Sequence, residues 1–180
     1  MPARLSDRTP QVAPEALVDE MVPPSMFDEV SFDSYIPDPD EPSQAEAVKA
    51  ARSFVERATK AKGGKRGLFG RKSAPQQGLG LYLDGGFGVG KTHLLASIYH
   101  AMPGPKAFAT FVEVTHVVGA LGFANALERL SDHSVLCIDE FELDDPGDTL
   151  LMTRLIRELS DRGVAIVATS NTLPDALGEG

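Results

Sequence analysis

From residue 79 onward, short apolar runs alternate with longer segments in which apolar residues recur every three or four positions. The runs at 79–83, 107–112, 135–138 and 164–169 predict strands, and the periodic segments at 91–102, 115–130 and 146–162 predict helices. Strand, helix and strand in repetition predict βαβ units around a parallel sheet. The last helix carries the fullest set of signals. Asp144 or Asp145 caps it, Pro146 suits its first turn, and Gly163 ends it. Met152, Leu155, Ile156 and Leu159 form one stripe, with Arg154, Arg157, Glu158 and Asp161 on the other side. The helix over 115–130 is interrupted by Gly119 and Gly122.

Upstream the pattern is weaker. Residues 1–42 form an arm rich in Pro, Asp and Glu, and the stretch from Ile36 to Pro42 cannot continue a helix or a central strand. Its apolar patch, Phe27, Val30, Phe32, Tyr35 and Ile36, is too small for a core of its own and predicts that the arm docks on the neighbouring domain. Residues 43–60 hold a helix, expected over 44–59, with Ser43 and Glu46 as a capping box and Ala47, Ala50, Ala51, Phe54, Val55 and Ala58 at helical spacing. Residues 61–78 are expected to be a basic, flexible loop. Six of the seventeen basic residues fall between Lys60 and Lys72, which fits a solvated loop or a patch for phosphate or anionic lipid. Residues 79–180 are then a partial α/β core.

Composition narrows the partners. A chain of 180 residues, 42% hydrophobic, can bury one domain core. Its net charge of −9 gives no strong nucleic-acid signal, because neutralising phosphates takes clustered Lys and Arg. No run reaches transmembrane length and no signal-peptide core precedes the domain. The single cysteine, Cys137, has no intrachain partner and suits a reducing compartment, so a cytoplasmic location is expected.

Between the first strand and the helix at 91 stands Gly85-Gly86-Phe87-Gly88-Val89-Gly90-Lys91-Thr92, a full G-x-x-x-x-G-K-[ST] pattern in the context its mechanism needs. Glycines let the backbone turn its N–H groups inward to phosphate oxygens, and the helix start adds its dipole. The expected ligand is ATP with Mg²⁺: Lys91 reaches the β- and γ-phosphates, Thr92 ligates the metal, and His93 closes the cofactor-binding set. A second acidic site is expected on a neighbouring strand, and Val135-Leu-Cys-Ile-Asp139-Glu140 supplies it 48 residues after Lys91. Asp139 would hold Mg²⁺ and Glu140 would polarise the attacking water. Adjacent acids at a strand end face opposite sides, so their roles differ. Asn171, 32 residues past Asp139, is either a third catalytic group that senses the γ-phosphate or an Asn opening a turn before Pro174. His93, His100, His116 and His133 lack metal-ligand spacing.

Together, G-G-F-G-V-G-K-T-H-L-L, L-C-I-D-E-F-E-L-D-D-P-G-D-T and V-A-T-S-N-T-L-P resemble the ZapE (AFG-like) family of AAA-type ATPases, as does Phe32-Asp-Ser-Tyr35-Ile-Pro-Asp38 upstream. The resemblance runs from about Phe32 to Pro174. It implies a P-loop NTPase sheet of order 5-1-4-3-2 with flanking helices, ATP hydrolysis, and homo-oligomers. It also implies protein clients, including division-ring components, and action at the membrane periphery. The stretch from Phe111 to His133 is shorter than in many members. The chain reaches Gly180 before the family's fifth strand, arginine finger and helical lid, so the fold is expected without them, the first strand left as an edge, and the isolated chain poorly stable and prone to associate. Arg154 and Arg157 are read as partners of Glu158 and Asp161 in preference to a trans-acting finger. Two other readings remain open, a DNA-handling ATPase of the helicase-loader type and an inactive nucleotide-binding fragment.

Overall fold

Val135–Asp139 (β3) and Ala165–Ser170 (β4) are buried at every residue, as central strands of a parallel sheet must be when helices cover both faces. A computed structural model describes residues 16–63, 78–143 and 145–173. Within them, Gly80–Asp84 (β1), Lys106–Thr110 (β2), β3 and β4 form one all-parallel sheet of order β1-β4-β3-β2. This is the predicted order without its fifth strand, and β1 is an edge of the sheet among the described residues. The register sets Asp84 beside Ser170 and Thr110 beside Asp139, so the carboxyl ends of all four strands open on one side of the sheet.

Alternation along the strands divides the core into two layers. Leu136, Ile138, Ile166 and Ala168 pack under Phe111–Leu121 (α3), Phe123–Ser131 (α4) and Pro146–Asp161 (α5). Val135, Cys137, Ala165 and Val167 face Pro42–Gly63 (α1) and Lys91–Ala101 (α2). In α5 the cap is Asp145, whose carboxylate accepts from the Gly147 and Asp148 amides at 2.7 and 3.1 Å, and Met152, Leu155 and Leu159 are its buried residues. Cys137 is fully buried, which pushes its thiol well above the ordinary cysteine range and makes it a core residue.

The predicted helix over 115–130 is two helices. Its start lies at Phe111, because Thr110 and Glu113 form a capping box, with Thr110 Oγ1 accepting from the Glu113 amide at 3.2 Å and Glu113 accepting from the Thr110 amide at 2.7 Å. The preceding strand therefore stops at Thr110, not at 112. The break falls at Gly122, whose φ of 77° ends α3 and starts α4. Gly119 continues α3 without interruption. Helix α1 begins at Pro42 and runs to Gly63, so Ser43 lies inside the first turn and is not the cap. The Gln44 side chain holds the entry instead, accepting from the Asp38 amide at 2.9 Å. Most of the expected basic loop lies outside the described residues.

The arm docks, by more residues than its sequence advertised. Val18 and Met21 are buried in the α3 layer. The Met21 carbonyl accepts from the Phe108 amide at 2.9 Å on the open edge of β2. Phe27, Val30, Phe32 and Tyr35 then pack against the α1/α2 layer, and Arg52 sits 5.0 Å over the Phe32 ring. Ile36 is not part of this contact, being 88% exposed, because the Pro-bounded turn after Tyr35 carries it outward. No described helix is long and apolar enough to cross a membrane.

Two glycines separate steric from conformational cost. A Cβ at Gly78 would lie 1.9 Å from the Val164 carbonyl oxygen, in the contact where the Gly78 amide donates to Ser160 O at 2.7 Å. Gly119, inside α3, has open space around an added Cβ. Gly78→Ala should therefore destabilise the chain by about 1–3 kcal/mol, and Gly119→Ala should stabilise it by about 0.5–1 kcal/mol. Denaturant midpoints of the two variants should move in opposite directions.

Candidate functional site

The loop from Gly85 to Thr92 joins β1 to α2 at the open end of the sheet. Gly88 and Gly90 hold φ of 76° and 86°, a region side chains disfavour, which explains glycine at both positions. Gly90 is the N-cap of α2 and no side chain caps that end, so the first amides of the helix are left to the loop's concave side. Lys91 Nζ donates to the Gly85 and Gly86 carbonyls, each at 2.7 Å, and to Asn171 Oδ1 at 3.0 Å. Three donors thus meet three acceptors, and Asn171 is brought from the end of β4 onto the loop lysine.

Across from it, Asp139 is 8% exposed. Thr92 Oγ1 donates to its two carboxylate oxygens at 3.2 and 2.9 Å, and Thr169 Oγ1 donates to Oδ1. Thr169 also accepts from the Glu140 amide at 3.2 Å, and its carbonyl accepts from the Phe141 amide at 2.7 Å. Glu140 has φ of 53°, the one described non-glycine residue in that region. Its side chain is exposed while Phe141 turns inward, edge-on to Phe111 at 5.4 Å. The two acids are therefore set in opposite environments, as their positions on the strand implied.

A cavity of about 300 Å³ lies between the loop and these strand ends, bounded by Lys91, Thr92, Asp139, Glu140 and Asn171. A second, of about 470 Å³, lies beside the loop between the arm and α1, with Ala47, Leu83 and Leu94 as apolar walls and Gln44 and Asp38 at its rim. Of the remaining expected residues, Phe87 is 88% exposed at the loop tip. The His93 ring reaches the arm, with Nε2 3.1 Å from Ser31 O and 3.0 Å from Ser34 Oγ. Arg154 pairs with Glu158 at 2.9 Å and stacks on Phe123 at 4.1 Å, so the plain reading of that arginine holds. The donor set fits a triphosphate with a hard divalent ion: a carboxylate and a hydroxyl on one wall, amides and an ammonium on the other. Few protein ligands suffice for Mg²⁺, which takes the rest from phosphate and water.

Glu142 was missed in the sequence, where it stands one residue beyond the Asp-Glu-Phe string. Its carboxylate accepts from Ser170 Oγ at 3.1 Å, the Asn171 amide at 3.0 Å and Thr172 Oγ1 at 2.8 Å, fixing the turn that carries Asn171. Partial burial would raise its pKa, but the Asn171 amide, the Thr172 and Ser170 hydroxyls and the Lys91 charge outweigh it and hold it below the usual glutamate range. A depressed folded value means stabilisation that is complete above the unfolded pKa and lost as pH falls through the folded one. Glu142→Gln should therefore melt below the parent at pH 7, and the gap should shrink as pH falls below about 4. A gap that is constant from pH 7 to pH 3 would contradict this role.

A solved structure of domain III of the Thermotoga maritima replication initiator DnaA superposes on 83% of this chain and 59% of its own, with a TM-score of 0.58 and 24% identity. A DnaC helicase loader does so over 83% and 81%, with a TM-score of 0.57 and 22% identity. At these identities the likeness is one of fold. Among curated proteins, the cell division protein ZapE of Escherichia coli is 38% identical over 109 residues, 54% of this chain and 29% of its own. Lactation elevated protein 1 homolog B of Danio rerio is 28% identical over 127 residues, 58% of this chain and 25% of its own. The matched region thus spans under a third of either relative. The family model described as AFG1-like ATPase matches residues 11–180, nearly the whole chain. The chain belongs to the AFG1-like ATPase family.

Proposed function

We propose that this site binds ATP with Mg²⁺, hydrolyses the β–γ bond, and couples nucleotide state to protein partners. The observation that supports it best is the facing pair of contacts in one cavity, Lys91 with Asn171 on one side and Thr92 with Asp139 on the other. Phosphate oxygens would take over donors that Lys91 now gives to loop carbonyls, and the α2 amides would take the rest of the charge. Thr92 and Asp139 would hold Mg²⁺, which when bound draws charge from the phosphates. Glu140, exposed beside them, would orient a water molecule and accept its proton. The apolar cavity between α1 and the arm is of the size and character that a base occupies. The ZapE likeness supports partners in cell division; work at the membrane periphery, in homo-oligomers whose neighbouring subunits complete each site, belongs to the same proposal.

Lys91→Ala should weaken ATP binding by about 100-fold, read as the Kd of a fluorescent ATP analogue. Glu140→Gln should bind ATP as the parent does while turnover of the full-length protein falls by about 10²–10⁴-fold. Asp139→Asn should bind with much less dependence on Mg²⁺ concentration. Parental turnover in Glu140→Gln would refute that residue's role, and parental binding in Lys91→Ala would refute the site.

A further inference from the structure

One contact to the loop comes from outside both the loop and the strand ends. The Tyr35 hydroxyl, from the arm, donates to the Val89 carbonyl at 2.6 Å across 54 residues of sequence. A trans peptide holds its C=O and N–H antiparallel in one plane. Anchoring the Val89 carbonyl on Tyr35 therefore aims the Gly90 amide away from the arm, at a residue that lines the cavity shared by Lys91, Thr92 and Asp139. Were this peptide to rotate, a carbonyl dipole would face the space where anionic oxygens are to bind, and one donor would be lost.

Three further features show that the contact is built. A Cβ at Gly90 would come within 2.5 Å of Tyr35 Cε2, so the ring lies flush on the residue whose amide it orients, and only glycine leaves room. The Tyr35 ring is itself held edge-on by His93 at 5.5 Å. His93 is tied in turn to Ser31 O and Ser34 Oγ of the same arm. Burial raises the Tyr35 pKa, so the hydroxyl keeps its proton and remains a donor across the working pH range.

We propose that Tyr35 is a positioning residue of the phosphate loop, so that docking of the arm and occupancy of the nucleotide site are thermodynamically coupled. The proposal rests on reading the site as one for ATP. It follows that a nucleotide that needs the Gly90 amide aimed inward holds the arm in place, and by the same factor an undocked arm weakens the nucleotide.

The test compares the full chain with Tyr35→Phe, which removes one hydroxyl and keeps the ring, using ATP with Mg²⁺ as the probe. Lys91→Ala serves as the reference for a lost phosphate site. Tyr35→Phe should bind ATP about three- to ten-fold more weakly, the range of one hydrogen bond, at an unchanged denaturant midpoint. ATP should slow cleavage by a glutamate-specific protease after Glu29 in the parent, less so in Tyr35→Phe, and not at all in Lys91→Ala. Equal affinity and equal protection in parent and Tyr35→Phe would overturn the coupling while leaving the ATP site standing. Weaker binding that tracks a lowered denaturant midpoint would overturn it too, since Tyr35 would then serve only the fold. A parent that does not bind ATP would overturn both readings.

Discussion

A carboxylate that is almost withdrawn from water, that of Asp139, is tolerable only where donors replace its hydration. Here both are hydroxyls from other elements, Thr92 on α2 and Thr169 on β4. The need to satisfy one acid therefore fixes where the helix after the loop begins relative to the sheet, and how β4 lies beside β3. Thr169 is tied further, to the amides of Glu140 and Phe141. The chain's exit from β3 is thus set by the same residue that feeds Asp139. The loop lysine, the strand-end acids and Asn171 converge because these bonds leave little freedom in their relative positions.

The sheet has two edges and treats them differently. At β2 the arm supplies a backbone acceptor to Phe108 and apolar residues to both layers, which partly covers that edge and fastens the arm at once. At β1, no described strand lies beyond the edge. Docking at β2 also brings the arm's second half over α2, where Tyr35 meets the loop. Edge protection and a contact with the phosphate-loop motif thus come from one segment, over which the arm's few apolar residues are spread from Val18 to Tyr35.

Strands and the loop were legible because each carries a strong local signal: unbroken apolar runs, glycines before Lys-Thr, an acid pair after a buried strand; the order of the strands came from the family resemblance. What was not legible depended on partners distant in sequence or on competing local signals. The pair Thr110 and Glu113 is a capping box by spacing, yet Phe111 and Val112 extended the apolar run of β2 and hid it. Ser43 and Glu46 offered the same spacing where Pro42 had already taken the first helical position. Glu142 and Thr169 gave no motif of their own, since their roles exist only once β3 and β4 are side by side. Ile36 looked like its neighbours by hydrophobicity, but backbone direction, set by the prolines after it, decides whether it is buried.

The left-handed conformation of Glu140 follows from the same constraints. A non-glycine residue at φ of 53° costs free energy, and here the amides on either side of its α-carbon, its own and that of Phe141, are both held by Thr169 while Phe141 is buried against Phe111. The surrounding structure thus over-determines the turn. Its effect is to separate two adjacent acids: Asp139 stays inside, held by the Thr92 and Thr169 hydroxyls, and Glu140 is turned out to the cavity mouth. An extended residue at 140 would let β3 continue along its register instead of turning away after Asp139. On the proposed function, this turn divides roles between neighbouring carboxylates, the buried one holding a cation and the exposed one accepting a proton.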